Sequence, residues 1–563
     1  MNTKKEISLT CKRFMTRFLV YFSVFFILFS CARQGRPTGG PKDEIPPRFV
    51  NAIPDTLAIN VSTDLNEIRI NFDEYLILKD YTQNIIVSPP FRGNTTYYPI
   101  GSPAKFIRIK FSEPLQKNTT YNINFGNAIQ DNNEGNKLPY FQYVFSTGDF
   151  IDSLEIQGKV IDPFVKKQAK NLMVGLFKVD SAYSDSLILK EKPFYVAKVN
   201  EEGKFTLNYL SSGKYQLIAF DDEVQNLQFD IGKEKLGFIE TPIELSENQE
   251  FNVNIFDQPT EYRTRKAEQR AYGHLVFLFS GQAENIQIQP LDFDFNTSKI
   301  SYQSKSDSLN FWFNPAIDSI GEKATRLNFL VKHQEQTDTL SVVYNFQTEH
   351  KLSITQKKTL EYAPQRPVYF TSNYPINHLD SSKFTVFKDS VQLPVQIIPD
   401  EKNNHRFSLN FPIELNSNYK IELNPGAIID FFNEESDSLQ FGVQTRTKNE
   451  FGHLYLKLEN KPKTPFWIQL LNDKNEILDE KYSTDSKFEY PYLLSGNYYF
   501  RILVDENENE FWDTGDFFTK KQAENVYIYP TFINVRPLWD MDETWILPQE
   551  DNENGSIDDE ELL

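Results

Sequence analysis

Cysteine is nearly absent: the 563-residue chain has two, Cys11 and Cys31, and none beyond position 31. No disulfide framework holds the body of the protein, and zinc fingers, cysteine nucleophiles and thiol redox chemistry are excluded. Histidine is scarce too. The six, His274, His333, His350, His378, His405 and His453, lie far apart in sequence and show no His-Glu-x-x-His spacing. There is no Gly-x-Ser-x-Gly elbow and no glycine-rich phosphate loop. Acid pairs such as Asp73-Glu74 fall on a strand, where neighbours point to opposite faces. Basic charge is in deficit, with a net charge of −19, so a basic face for nucleic acid is not expected. Long apolar runs are missing as well. The run Phe18 to Phe29 is too short to cross a bilayer comfortably. These absences point to a protein without enzymatic chemistry.

What the chain has in quantity is aromatic residues, 48 Phe and 28 Tyr, which together with β-branched residues favour strands over helices. Its length calls for about four or five domains of ordinary size. Period-two alternation is plain. Ile68, Ile70 and Phe72 alternate with Arg69 and Asn71; Ile107, Ile109 and Phe111 with Arg108 and Lys110; Leu309, Phe311 and Phe313 with Asn310 and Trp312. Each set reads as a strand with one buried face. Turn clusters such as Asn132-Asn133-Glu134-Gly135 separate them. The expected fold is all-β, a tandem of Ig-like β-sandwiches.

At the N-terminus, Lys4, Lys5, Lys12, Arg13 and Arg17 precede the apolar run in the order of a secretory signal. Leu28-Phe29-Ser30-Cys31 then resembles the lipobox of bacterial lipoproteins. The resemblance implies a signal peptide over 1–30 and a lipid anchor on Cys31. Residues 31–47, rich in Gly and Pro, read as a flexible tether. Ala32 after the cysteine favours the outer membrane, and which of its faces is left open.

Further words resemble families. Ile70-Asn71-Phe72-Asp73-Glu74, Pro114 with Asn118 and Tyr121, Ala128-Ile129-Gln130-Asp131 and Phe145-Ser146-Thr147-Gly148 are similar to the bacterial Ig-like domain of S-layer-protein type, over 48–149. In Bacteroidota such a domain often opens a lipoprotein after a Pro-Thr-Gly-Gly-Pro-Lys tether, as at 37–42. Residues 150–258 resemble the carboxypeptidase-regulatory or collagen-adhesin B type of sandwich, through Gly203-Lys204-Phe205 and Gly213-Lys214-Tyr215. Residues 259–273, locally basic, read as a short helical linker capped by Gly273. A further Ig-like sandwich is expected over 274–351. A diverged copy of the first domain follows over 352–449, where Pro412, Asn416 and Tyr419 mirror Pro114, Asn118 and Tyr121. Residues 450–548 repeat the B-type unit at a constant offset of 283, seen in Lys487-Phe488 against Lys204-Phe205 and Tyr498 against Tyr215. An acidic tail, 549–563, ends the chain.

The segment most like a site is Val504 to Asp516. Asp505, Asn507, Asn509, Phe511 (by its carbonyl), Asp513 and Asp516 occupy positions 1, 3, 5, 7, 9 and 12 of a calcium loop. Glu510 stands where such a loop takes glycine. The other reading is a polar hairpin closed by local hydrogen bonds. At offset 283 the first copy keeps Asp222, Asn226 and Asp230 but places Lys233 against Asp516, which opposes a cation there. The functional expectation is a non-enzymatic outer-membrane lipoprotein, a rod of sandwiches. Its partners would be the membrane, through the anchor, and envelope or surface proteins. The rival is a surface adhesin or glycan binder, which requires Trp312, Trp467 or Trp512 to be exposed.

Overall fold

Alternation decides which side chains turn inward. In strand Glu67–Leu78, Ile68, Ile70 and Phe72 are buried, and Ile107, Ile109 and Phe111 of strand Ala104–Phe111 meet them. Each such side chain contributes roughly 1.5–3 kcal/mol when removed from water. The computed structural model describes residues 43–548, apart from 282, 284, 303–305, 321–322 and 346–349. The signal segment, Cys31, the tether up to residue 42 and the acidic tail lie outside the described residues.

Within them the chain forms five β-sandwiches, as the alternation predicts. In the first, strands Phe49–Ile53, Glu67–Leu78, Ala104–Phe111 and Thr95–Tyr98 pair in that order. They face a sheet of Ile86–Ser88, Thr120–Asn124 and Gln142–Ser146. The fourth sandwich repeats its corner chemistry. Tyr121 Oη accepts from Gln116 N at 2.8 Å and Tyr419 Oη from Glu414 N at 2.6 Å. Asn118 and Asn416 take the left-handed turn with φ of 49° and 52°. The shared Asn and Tyr words are thus one turn built twice.

The second and fifth sandwiches are also copies. In both, the first and last strands pair in parallel: Leu154–Ile161 with Gln249–Asn254, and Phe451–Glu459 with Asp540–Ile546. The offset of 283 holds up to Asp230 and Asp513, but strand Ile243–Leu245 corresponds to Ile533–Val535, an offset of 290. Three residues separate Asp230 from Glu234 while ten separate Asp513 from Glu524, so the second copy carries an insert of 10 − 3 = 7 residues.

Two expectations are corrected. The helical linker over 259–273 is a strand, Arg263–Ala271, paired antiparallel with His274–Ser280 through the Gly273 turn. Gly273 has φ +57°, and a Cβ there would meet Phe313 O at 2.2 Å. The segment's helix-forming residues lose to the ladder hydrogen bonds of a sheet that needs this edge; propensity is a weak prior against tertiary context. The third sandwich therefore starts before Gly273. Nor do the domains form a linear rod. The first docks on the second through Ile86 and through Ser88, whose Oγ donates to Val196 O. The second packs on the fifth. The fifth meets the fourth where Arg366 donates to the carbonyls of Pro491 and Tyr492. The fourth meets the third around Trp312, Tyr374 and Phe432. The chain doubles back because sheet faces beyond the sandwich cores are also apolar.

Candidate functional site

The Asp505 hairpin is built by its first carboxylate. Asp505, fully buried, accepts from Asn509 N at 3.0 Å, from Glu510 N at 2.8 Å and from Tyr482 Oη at 2.7 Å. Asn507 and Asn509 turn their amide nitrogens to Asp513 Oδ2, at 2.6 and 3.0 Å. Asp513 N donates to Glu524 Oε2 at 2.7 Å, and Glu506 N to Glu524 Oε1 at 2.9 Å. Glu524 is the member that loop spacing missed, because the seven-residue insert separates it from the rest.

The first copy has the same construction. Asp222 accepts from Asn226 N, Asn226 Nδ2 donates to Asp230 Oδ2 at 2.8 Å, and Glu234 accepts from Val224 N and Asp230 N. Left-handed residues recur as well: Gln225 and Leu227 at φ 59°, Glu508 at 59° and Glu510 at 65°. Burial raises the carboxyl pKa of both Glu234 and Glu524 above the usual range. Backbone N–H groups oppose the rise, and nearby acids, Asp222 and Asp230 or Asp513 and Asp505, add to it.

Against a calcium site the residues fit in part. Asp505, Asn507, Asn509 and Asp513 converge, and Asp516 does not. Asp516 belongs to the insert, pairs with Lys521 and accepts from Phe518 N and Thr519 Oγ1. Phe511 joins the turn by donating its N–H to Asn509 Oδ1 at 2.8 Å. For an ion to be held, both asparagines would have to turn their oxygens toward Asp513. Lys233 is also no counterpart of Asp516, since the offset has changed by then; it lies 4.0 Å from Asp230. Among the described residues no three His, Cys, Asp or Glu form a metal-holding group.

The insert makes the larger feature, a seam between the two copies. Phe517 is fully buried in a cluster with Met173, Phe177, Ile218, Phe220 and Phe238 of the second sandwich. Its ring meets Phe238 edge-on at 5.3 Å, and its N–H donates to Gln258 Oε1 at 2.9 Å. Lys520 bonds Asp185 at 2.7 Å and Thr514 Oγ1 bonds Asp257 O at 2.6 Å. From the other side, Phe164 packs on Trp512 and under the buried Arg501, which donates to Gln469 Oε1 and Pro163 O. A sequence signal for this second buried face existed. Leu217 to Phe220 and Ile502 to Val504 are unbroken apolar runs, whereas a strand wet on one face alternates.

Three of the histidines, distant in sequence, meet at the junction of the third and fourth sandwiches. His274 stacks on Trp312 at 3.7 Å and bonds Asn310 at 2.8 Å; His405 tilts on the same indole at 5.5 Å. His350 lies 3.0 Å from the buried Asp430 carboxylate and stacks on Tyr272. Burial lowers the His274 pKa to about 4, and also lowers that of His405. Of the tryptophans weighed for glycan binding, Trp312 is buried and Trp512 lies in the seam. Trp467 lies tilted against Tyr482 at 5.0 Å and donates its Nε1–H to Glu510 O.

Residues 43–147 match the bacterial Ig-like domain family. The chain has no match among curated proteins. Similar solved structures include domains 1–6 of the surface layer protein SbsC, at 8% identity, covering 88% of this chain and 68% of that one, with a TM-score of 0.16. The major pilin subunit BcpA of Bacillus cereus is 10% identical and covers 70% of this chain and 99% of its own, with a TM-score of 0.12. A DUF3823 family protein from Parabacteroides merdae is 13% identical over 34% of this chain and 99% of its own, at a TM-score of 0.12.

Proposed function

We propose, for a chain whose residues 43–147 are a bacterial Ig-like domain, a non-enzymatic role as a lipid-anchored outer-membrane scaffold. In this reading acyl chains on Cys31 hold the protein at the membrane, and its sandwiches present a fixed composite surface to other envelope proteins. The observation that carries it is the seam: the two B-type copies are locked by a buried aromatic arm, so their outer surfaces keep one relative placement. A rod of independent beads would not need that arm. Radiolabelled palmitate should enter the wild type and not Cys31→Ser. Crosslinking followed by mild-detergent purification should recover a stoichiometric envelope partner; recovery of the protein alone in several detergents would overturn the scaffold.

A glycan-binding role would use Trp539 rather than Trp312, Trp467 or Trp512. Trp539 and Leu538 are exposed, at 55% and 63%, beside a groove of about 480 Å³ that also includes His453 and Tyr492. Retention on a glycan array that Trp539→Ala abolishes would favour it.

Calcium belongs to this reading as a stiffener of the arm, held by Asp505, Asn507, Asn509 and Asp513. Its test is melting of the full chain in calcium and in chelator. A calcium-dependent rise that Asp505→Asn removes supports the ion, and equal melting leaves the segment a hydrogen-bonded turn.

A further inference from the structure

One sheet face in this acidic chain is basic and aromatic. It is the outer face of the first sandwich's larger sheet, turned away from the second sandwich, which packs on Ile86 and Ser88 of the opposite sheet. Register places Arg69 opposite Arg108, and Asn71 opposite Phe106, while Ile68, Ile70, Ile107 and Ile109 point into the core. Three cations lie over three rings there: Arg69 on Phe106 at 3.7 Å, Arg108 on Tyr98 at 5.2 Å and Lys105 on Tyr75 at 5.3 Å. Lys110 adds a fourth positive charge, offset by Glu67 at 3.2 Å. With Asp73, whose carboxylate accepts from Arg48 N, these six side chains sum to 4 − 2 = +2, inside a chain of −19, while Asp43, Glu74, Asp131 and Glu134 gather beyond Asp73 at the rim of the face. Ile53, opposite Arg69, is 64% exposed and Tyr75 is 56% exposed.

We infer that this face lies on an anionic phospholipid surface, beside the proposed anchor. Three observations choose that occupant. The chain enters the sandwich at this face: Arg48 N bonds Asp73, two residues from Tyr75. Residues 32–42 are all that separates Cys31 from the first described residue, a reach of at most about 40 Å. A lipid-held domain is therefore kept within about 40 Å of the bilayer surface, where this face can reach the headgroups. The chemistry also matches an interface, where rings sit at headgroup depth, Lys and Arg stems cover them, and charged ends meet phosphate. Elsewhere the acidic surface is repelled, so contact through this face fixes which way the first sandwich stands. Screening over about 8 Å at physiological salt restricts the attraction to direct contact.

The inference rests on the anchored reading, so its test removes the anchor. The mature chain beginning at position 31, with Cys31→Ser, is sedimented with vesicles of phosphatidylglycerol and phosphatidylethanolamine, and separately of phosphatidylcholine. Binding is expected to the anionic vesicles alone and to disappear at high salt. The double substitution Arg69→Gln, Arg108→Gln should weaken it by roughly 30-fold at an unchanged melting temperature. Absence of binding to anionic vesicles, or binding indifferent to those substitutions, overturns the inference. Palmitate labelling of Cys31 decides the anchor separately, so either can fail without the other.

Discussion

Phe517→Ala should destabilise the protein by about 3–5 kcal/mol, the range for removing a fully buried aromatic ring, and should part the second and fifth sandwiches. The ring is 0% exposed and its neighbours come almost entirely from the other copy, so the cavity would open at an interface rather than inside one core. Two results are expected together. Denaturant unfolding should show an earlier transition, and small-angle scattering under native conditions should show a larger radius of gyration. Lys520→Ala removes a part-buried ion pair with Asp185 and the contact of its Nζ with the Phe517 ring at 3.7 Å, each worth about 0.5–1 kcal/mol; with the ring still in place it should cost less than Phe517→Ala and leave the radius of gyration near wild type. A Phe517→Ala protein with unchanged dimensions and stability would mean that the aromatic seam under Arg501 and Phe164 suffices to hold the copies.

That comparison also separates what sequence can reveal from what it cannot. The strands were legible because a half-buried strand writes itself as period two: Ile68 and Ile70 inward, Arg69 outward. The duplication was legible because Tyr215 and Tyr498 hold their spacing from Lys204 and Lys487. The strand Arg263–Ala271 was not, since an edge strand needs only one partner and its side chains can read as a helix. Glu524 was hidden by the insert, and a fixed offset put Lys233 in a place that belongs to no ligand. The seam was half visible in the unbroken apolar runs. Which surface covered them is a matter of distant packing that no local pattern encodes. The histidine junction was hidden most completely, because 274, 350 and 405 converge only after two sandwiches have folded and docked.

At that junction a loss of stability on acidification is expected between pH 6.5 and 4. His274 is buried against Trp312, which disfavours the imidazolium, and His405 and Arg270 nearby oppose it further; only Asn310 supports it. A histidine that titrates about 4 when folded and about 6.5 when unfolded is depressed by folding. Its contribution is therefore complete above pH 6.5 and lost progressively as pH falls to 4, on the order of 3 kcal/mol. His405 shifts in the same direction through burial, despite its bond to Ser372 O, with Lys299 and Arg406 adding to the shift. Buried acids elsewhere, Glu234 and Glu524 among them, have raised pKa values and favour the folded state at low pH. The measurement must therefore cancel them. His274→Phe keeps an aromatic ring on Trp312 and removes the titration. The difference in melting temperature between wild type and this variant should shift in favour of the variant as pH falls from 6.5 to 4. A constant difference across that range would show that His274 is not held neutral by the junction.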